Sequence, residues 1–252
     1  MVAQPENESV HRRLREWWDA DAATYDQAAS HSAADHVEAA AWRQALLRHL
    51  PPPPARILDV GAGTGTMSLL AAQMGHRVTA LDLSPGMLSR AREKANAEGL
   101  DLDTVVGAAD APPATQFDAV MERHLLWTVP DPVAALESWR DVSPCVVLYE
   151  GIWRPQDLMG KLRQRAAAAI RRLLGDSQDH HAEYDSAMLA ALPFPGGITP
   201  GLALQALARA GYRRARIERL RDIEWARRLA EPPILGALES VPRFAVLAEA
   251  SR

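Results

Sequence analysis

The stretch Ile57-Leu58-Asp59-Val60-Gly61-Ala62-Gly63-Thr64-Gly65-Thr66 runs from an apolar strand through a glycine loop into an apolar helix. Glycines there permit positive φ and close approach of a ligand to the backbone, and the helix start offers unpaired N–H groups. A second strand ends in Leu81-Asp82-Leu83, about 20 residues further on, where an acid can hold both hydroxyls of a ribose. Glycine loop plus acid implies an adenosine cofactor. The dinucleotide fingerprint sets its third glycine three positions after the second, whereas these glycines alternate and are preceded by Asp59. A carboxylate suits an ammonium and gives nothing to a pyrophosphate.

Asp59-Val60-Gly61-Ala62-Gly63-Thr64-Gly65, Gly75 to Leu88, Phe117-Asp118-Ala119-Val120 and Arg123-His124-Leu125 together resemble the class I S-adenosylmethionine-dependent methyltransferases. The resemblance is close over about residues 57–153 and architectural outside them. It implies S-adenosylmethionine as cofactor, S-adenosylhomocysteine as product, and a cofactor site built from Tyr25, Asp59, Gly61, Ala62, Gly63, Asp82, Leu83, Met87 and Arg123. Asp82 would hold the ribose, Met87 the adenine face, and Tyr25 would close over the methionine end. The family's acid after the third strand is displaced, since Gly107 is followed by Ala108, Ala109 and then Asp110. Adenine contact therefore falls to the Ala109 backbone and to Asp110.

His124 and Glu150 end two strands at the carboxyl edge, where ligands of parallel sheets bind, and they are the candidate general bases, His124 first. Trp18, Trp127, Trp153, His180, His181 and Tyr184 are the candidate acceptor contacts. The acceptor implied is an N, O or C nucleophile of a small molecule, with an aromatic or heterocyclic secondary metabolite suiting the tryptophans. Two adjacent histidines lack a third ligand at helical spacing, so no metal site is expected. A nicotinamide oxidoreductase and a non-catalytic module of the same fold are the alternatives.

The elements that must position these residues are an α/β, Rossmann-like, doubly wound sheet. Short apolar runs alternate with helical patterns: strands over 56–60, 77–83, 104–106, 117–121, 145–149, 216–220 and 244–248, and helices over 66–74, 86–98 and 132–139. Seven mostly parallel strands with helices on both faces result. One domain of 252 residues is expected, divided into an N-terminal helical cap (1–50), a cofactor-binding core (51–153), a helical insertion or lid (154–200) and C-terminal strands completing the sheet (201–252).

The formal charge of −4 gives no overall basic field for nucleic acid. Two basic clusters, one around Arg163 to Arg172 and one of Arg213, Arg214, Arg216, Arg219 and Arg221, read as solvated faces. The single Cys145 permits no internal disulfide and fits a reducing cytoplasm. No apolar leader or span of about 18 apolar residues is present, so no membrane partner is expected. A homodimer is the ordinary assembly for such an enzyme.

Overall fold

Four consecutive prolines, Pro51 to Pro54, have no N–H to donate and separate a helical N-terminal part from the sheet. The computed structural model describes residues 5–27, 35–153, 158–174, 189, 192–239 and 241–250. Before the prolines come α1 (Pro5–Asp21), a 3-10 turn (Tyr25–Gln27) and α2 (His36–His49). Asp35 caps α2 by accepting from the N–H groups of Val37 and Glu38 at 2.9 and 3.0 Å, satisfying two of the donors that a helix start leaves open.

Five strands are parallel: β1 (Arg56–Val60), β2 (Arg77–Asp82), β3 (Asp103–Val106), β4 (Ala119–Arg123) and β5 (Cys145–Gly151). β6 (Tyr212–Arg219) and β7 (Arg243–Ala250) complete the order β3-β2-β1-β4-β5-β7-β6, with β7 alone running antiparallel to its neighbours β5 and β6. The chain winds outward from β1 through β2 to β3, then returns to lay β4 on the other side of β1. That reversal opens a crevice at the carboxyl ends of β1 and β4.

β1 shows why these residues make a central strand. Ile57, Leu58 and Val60 are fully buried and Asp59 is 1% exposed, as a strand covered on both faces demands. One core joins Leu58, Val120, Leu148 and Val246 to Leu136 and Trp139 of α5 (Pro132–Val142) and Leu207 of α7 (Pro200–Arg209). The other joins Ile57, Met121 and Tyr149 to Trp42 and Leu46 of α2 and Met67 and Leu70 of α3 (Thr66–Gln73).

Gly65 precedes α3 with φ +84°, and a Cβ there would lie 2.8 Å from Ala91 Cβ in α4 (Pro85–Ala97). Gly65→Ala is thus expected to cost about 2–4 kcal/mol, combining an unfavourable φ with overpacking. A denaturant midpoint unchanged from wild type would contradict that close packing.

The expectation for the C-terminal part needs correction: residues 200–250 hold three helices as well as two strands. They are α7, α8 (Arg221–Ala230) and α9 (Pro233–Leu238). α8 buries only Ile223 and Ala226, so its arginines mask the helical period. β6 begins four residues earlier than expected because Arg213 and Arg214 sit exposed on an edge strand, a placement that discourages edge-to-edge pairing. In the expected insertion, α6 (Leu158–Leu174) packs on α9. His180, His181 and Tyr184 lie outside the described residues. Among the described residues no helix is long and apolar enough to cross a membrane.

Candidate active site

A cleft of about 780 Å³, counting the space it shares with open solvent, lies over the carboxyl ends of the strands. Its floor comes from Gly61 and Gly63 after β1, Asp82 and Leu83 after β2, Gly107 to Ala109 after β3, and Arg123 to Leu125 after β4. Met87 of α4 closes one wall, while His11, Leu14, Trp18 and Tyr25 form a roof. No described residue of α6 lines it, so the roof is the N-terminal segment.

Asp82 organises the loop it faces. Its Oδ2 accepts from Gly63 N and its Oδ1 from Ser84 N, both at 2.8 Å. Burial pushes its carboxyl up to about 6, opposed by those backbone donors. Ser84 then caps α4, its Oγ accepting from Met87 N at 3.0 Å. Loop, acid and α4 are therefore one hydrogen-bonded unit.

Asp59 stands behind the loop and outside the cleft lining, with Oδ2 accepting from Ser68 Oγ at 2.6 Å. Burial pushes its carboxyl up to about 7, while Ser68 and the Arg123 charge oppose the rise. Ala62 and Asp110 are likewise absent from the lining. The Ala62 N–H already donates to Leu81 O at 3.1 Å. Ala109 does line the cleft, with its carbonyl taken by Trp139 Nε1 at 2.7 Å.

Two aspartates that the sequence pattern did not single out fasten the roof. Asp19 accepts from Ser84 Oγ and, at 2.9 Å, from Gly86 N. Asp26 accepts from Thr64 Oγ1 at 2.6 Å and from Lys94 Nζ at 2.9 Å. Both attachments reach the glycine loop or α4. Tyr25, edge-on to Trp18 with ring centroids 5.9 Å apart, is pushed up to about 12 by burial, so its hydroxyl is neutral at ordinary pH.

His124 has φ +60°, a left-handed conformation unusual outside glycine. Trp127 braces that turn by donating from Nε1 to the His124 carbonyl at 3.0 Å, and it is outside the cleft lining. The ring faces Arg243 through Nε2 at 3.2 Å and Glu150 through Nδ1 at 3.5 Å. A guanidinium only donates, so Nε2 carries the lone pair and Nδ1 the proton. Trp153 lies edge-on to His124 at 4.9 Å with Arg243 over its ring, and it too is outside the cleft lining.

Glu150 is 1% exposed and sits behind His124, so its carboxylate does not line the cleft. Glu122, fully buried on β4, accepts from Leu125 N at 2.8 Å. Burial pushes Glu122 up to about 8, and burial with the charge of Glu122 pushes Glu150 well up. A free carboxyl titrates near ~4.3, so the folded chain holds protons that the unfolded chain releases. The contribution of this carboxyl pair to stability is therefore greatest in acid and falls as pH rises from about 4 to 8. Glu122→Gln keeps an acceptor for Leu125 and should remove on the order of 3 kcal/mol of that loss, roughly 5–10 °C in Tm. Melting at pH 5.5 and 8.5 tests it, and an unchanged pH slope would refute the assignment.

His11, Leu14 and Thr128 to Pro130 also line the cleft without having stood out in the sequence. The α1 residues precede Trp18 at helical spacing, a signal that could have found them. Among the described residues no cluster of histidine, cysteine or carboxylate side chains could hold a metal ion.

Residues 57–143 match the profile described as the methyltransferase domain family. The ubiquinone biosynthesis O-methyltransferase of Xanthomonas axonopodis pv. citri (strain 306) is 31% identical over 173 residues, covering 67% of this chain and 69% of that protein. An uncharacterized protein of Mycobacterium tuberculosis (strain ATCC 25618 / H37Rv) is 48% identical over 68 residues, 26% of this chain and 25% of its own. Among solved structures, magnesium protoporphyrin IX methyltransferase from Synechocystis PCC 6803 with bound SAH covers 95% of this chain and 99% of its own, at 15% identity and a TM-score of 0.57. The [4+2]-cyclase SpnF covers 84% and 80%, at 16% identity and the same score.

The chain belongs to the class I S-adenosylmethionine-dependent methyltransferases. S-adenosylmethionine is its cofactor, and the residues present fit it: a half-buried carboxylate facing the cleft beside a glycine cradle, with Met87 as an apolar wall.

Proposed function

We propose that the chain methylates a small organic acceptor at a hydroxyl oxygen, with an aromatic acceptor carrying that hydroxyl as the favoured class. The observation that supports this reading most is His124, an imidazole in the cleft lining with a defined tautomer and a strained backbone, since such strain concentrates at functional sites. The O-methyltransferase name of the relative over two thirds of the chain favours oxygen over nitrogen or carbon.

Asp82 takes the ribose hydroxyls, Met87 packs on the adenine and the backbone around Ala109 borders it. Arg123 offers its charge to the carboxylate of the methionine part from the cleft lining, while Asp59 acts from behind the loop, where it accepts from Ser68. Bound cofactor supplies an electrophilic methyl group on a sulfonium sulfur. The chain's task is then to hold an acceptor oxygen about 3–3.5 Å away in line with that methyl. Trp18 and Tyr25 exclude water from above. His124 accepts the hydroxyl proton at Nε2 when the acceptor displaces the Arg243 guanidinium, and Glu150 orients the ring from Nδ1. The lone Cys145 supports action in a reducing cytoplasm.

Incubating the protein with S-adenosylmethionine and a panel of phenols, catechols, amines and carbon acids, reading S-adenosylhomocysteine, tests the proposal. Turnover confined to hydroxylated acceptors is expected. Turnover with amines alone would overturn the oxygen assignment. Full cofactor binding without turnover on any acceptor would overturn the methylation reading.

A further inference from the structure

α6 carries three distinct stripes when its residues are placed 3.6 to the turn. The inward stripe holds Ala167, 1% exposed, and Arg171, whose guanidinium bonds Glu239 and, at 3.0 Å, Glu231. These ion pairs fix the helix against α9. The outward stripe is apolar: Leu158, Met159, Leu162 and Leu173 are 74, 59, 48 and 87% exposed, and the exposed Ala166 and Ala169 lie between them. Lys161, Arg165 and Arg172 form the third stripe along one border of that face, and Arg163 stands on the other border, all exposed. The helix contains no acid, although the whole chain carries a formal −4.

The pattern extends to the neighbouring helices. Ile234 on α9 and Trp225 and Leu229 on α8 are more than half exposed, and α9 contacts both α6 and α8. Of the eleven exposed large hydrophobic side chains among the described residues, seven lie on these three helices. That places the surplus apolar surface on one contiguous group of elements, where exposed patches mark interaction sites.

We propose that α6, with the adjoining surfaces of α8 and α9, docks in the plane of an anionic lipid surface. The apolar stripe enters the headgroup region while the flanking lysine and arginines reach lipid phosphates. A second copy of this chain is the poorer occupant. Two-fold pairing through α6 would set Lys161, Arg165 and Arg172 against the same three residues. An uncharged surface would leave the basic borders without counterparts. The sequence expectation of no membrane partner rested on the lack of a spanning segment, and an in-plane helix requires none.

Full-length protein is floated with vesicles of equal parts phosphatidylcholine and phosphatidylglycerol, and with phosphatidylcholine alone. Two triple variants accompany it: Lys161→Gln/Arg165→Gln/Arg172→Gln and Leu158→Gln/Leu162→Gln/Leu173→Gln. Wild type should float with the anionic vesicles only. The charge variant should bind roughly 100-fold more weakly, at about fivefold per basic side chain removed, and the leucine variant at least about tenfold more weakly. S-adenosylhomocysteine affinity and melting temperature verify that both variants are folded. Failure of wild type to float, equal flotation of either variant, or equal binding to phosphatidylcholine overturns the proposal. So does a dimer in sedimentation that the leucine variant dissociates. Cofactor binding and turnover on a water-soluble acceptor are read separately, so these outcomes leave the methyl-transfer reading where it stands.

Discussion

Asp82→Ala should weaken S-adenosylhomocysteine binding by at least about 100-fold in calorimetric titration. Two losses combine in that substitution. The carboxylate that would accept both ribose hydroxyls disappears, at about 1.5–3 kcal/mol for a charged acceptor. In addition Gly63 N and Ser84 N, each held at 2.8 Å, lose the group that sets the loop's shape. Asp82→Asn retains one acceptor oxygen and should fall between the two. Binding of the Ala variant within about threefold of wild type, with the fold intact, would mean that the cofactor lies elsewhere in the cleft.

His124→Ala should lower kcat by about 10²–10⁴ while leaving cofactor affinity near wild type, the range for loss of a positioned base. Its companion is Arg243→Met. The guanidinium 3.2 Å from Nε2 opposes proton uptake by the ring, so its removal should move the acid limb of the rate–pH profile to higher pH. Arg243→Lys keeps a cation and should restore much of the wild-type profile. Burial and the Arg227 charge already lower Arg243 to about 9, so Met is not expected to unfold the chain. An unshifted acid limb in Arg243→Met would separate the imidazole from proton transfer and leave it a packing role.

What could be read from the sequence was whatever is local. β1 matches its expected bounds of 56–60, and the ends of β2, α3 and α4 fall within about one residue of expectation, because period, glycine and cap all lie within one short window. Asp82 was legible for the same reason, sitting one strand beyond its loop. β4 was displaced by two residues, since Phe117 pairs outside the ladder through Val142 O while Glu122 lies buried within the strand. A buried acid at a strand end does not look like strand.

The site's supports were hidden because they are distant in the chain. Asp19 meets Ser84 across 65 residues, Asp26 meets Lys94 across 68, and Arg243 meets His124 across 119. No spacing rule connects such pairs until the sheet has brought them together. The contacts of Trp127 and Trp153 with His124 were hidden as well, since both need the folded strand end to bring them beside that residue.

β7 follows β6 in the chain yet lies between β5 and β6. Any polypeptide that stops before residue 243, whether still emerging from a ribosome or cut by a protease, has a gap in the sheet where that strand belongs. It also has no guanidinium opposite His124. Assembly of the His124 corner is therefore tied to completion of the sheet, and a truncated chain retaining the whole glycine loop is left with an open β5 edge and an imidazole without its Arg243 neighbour.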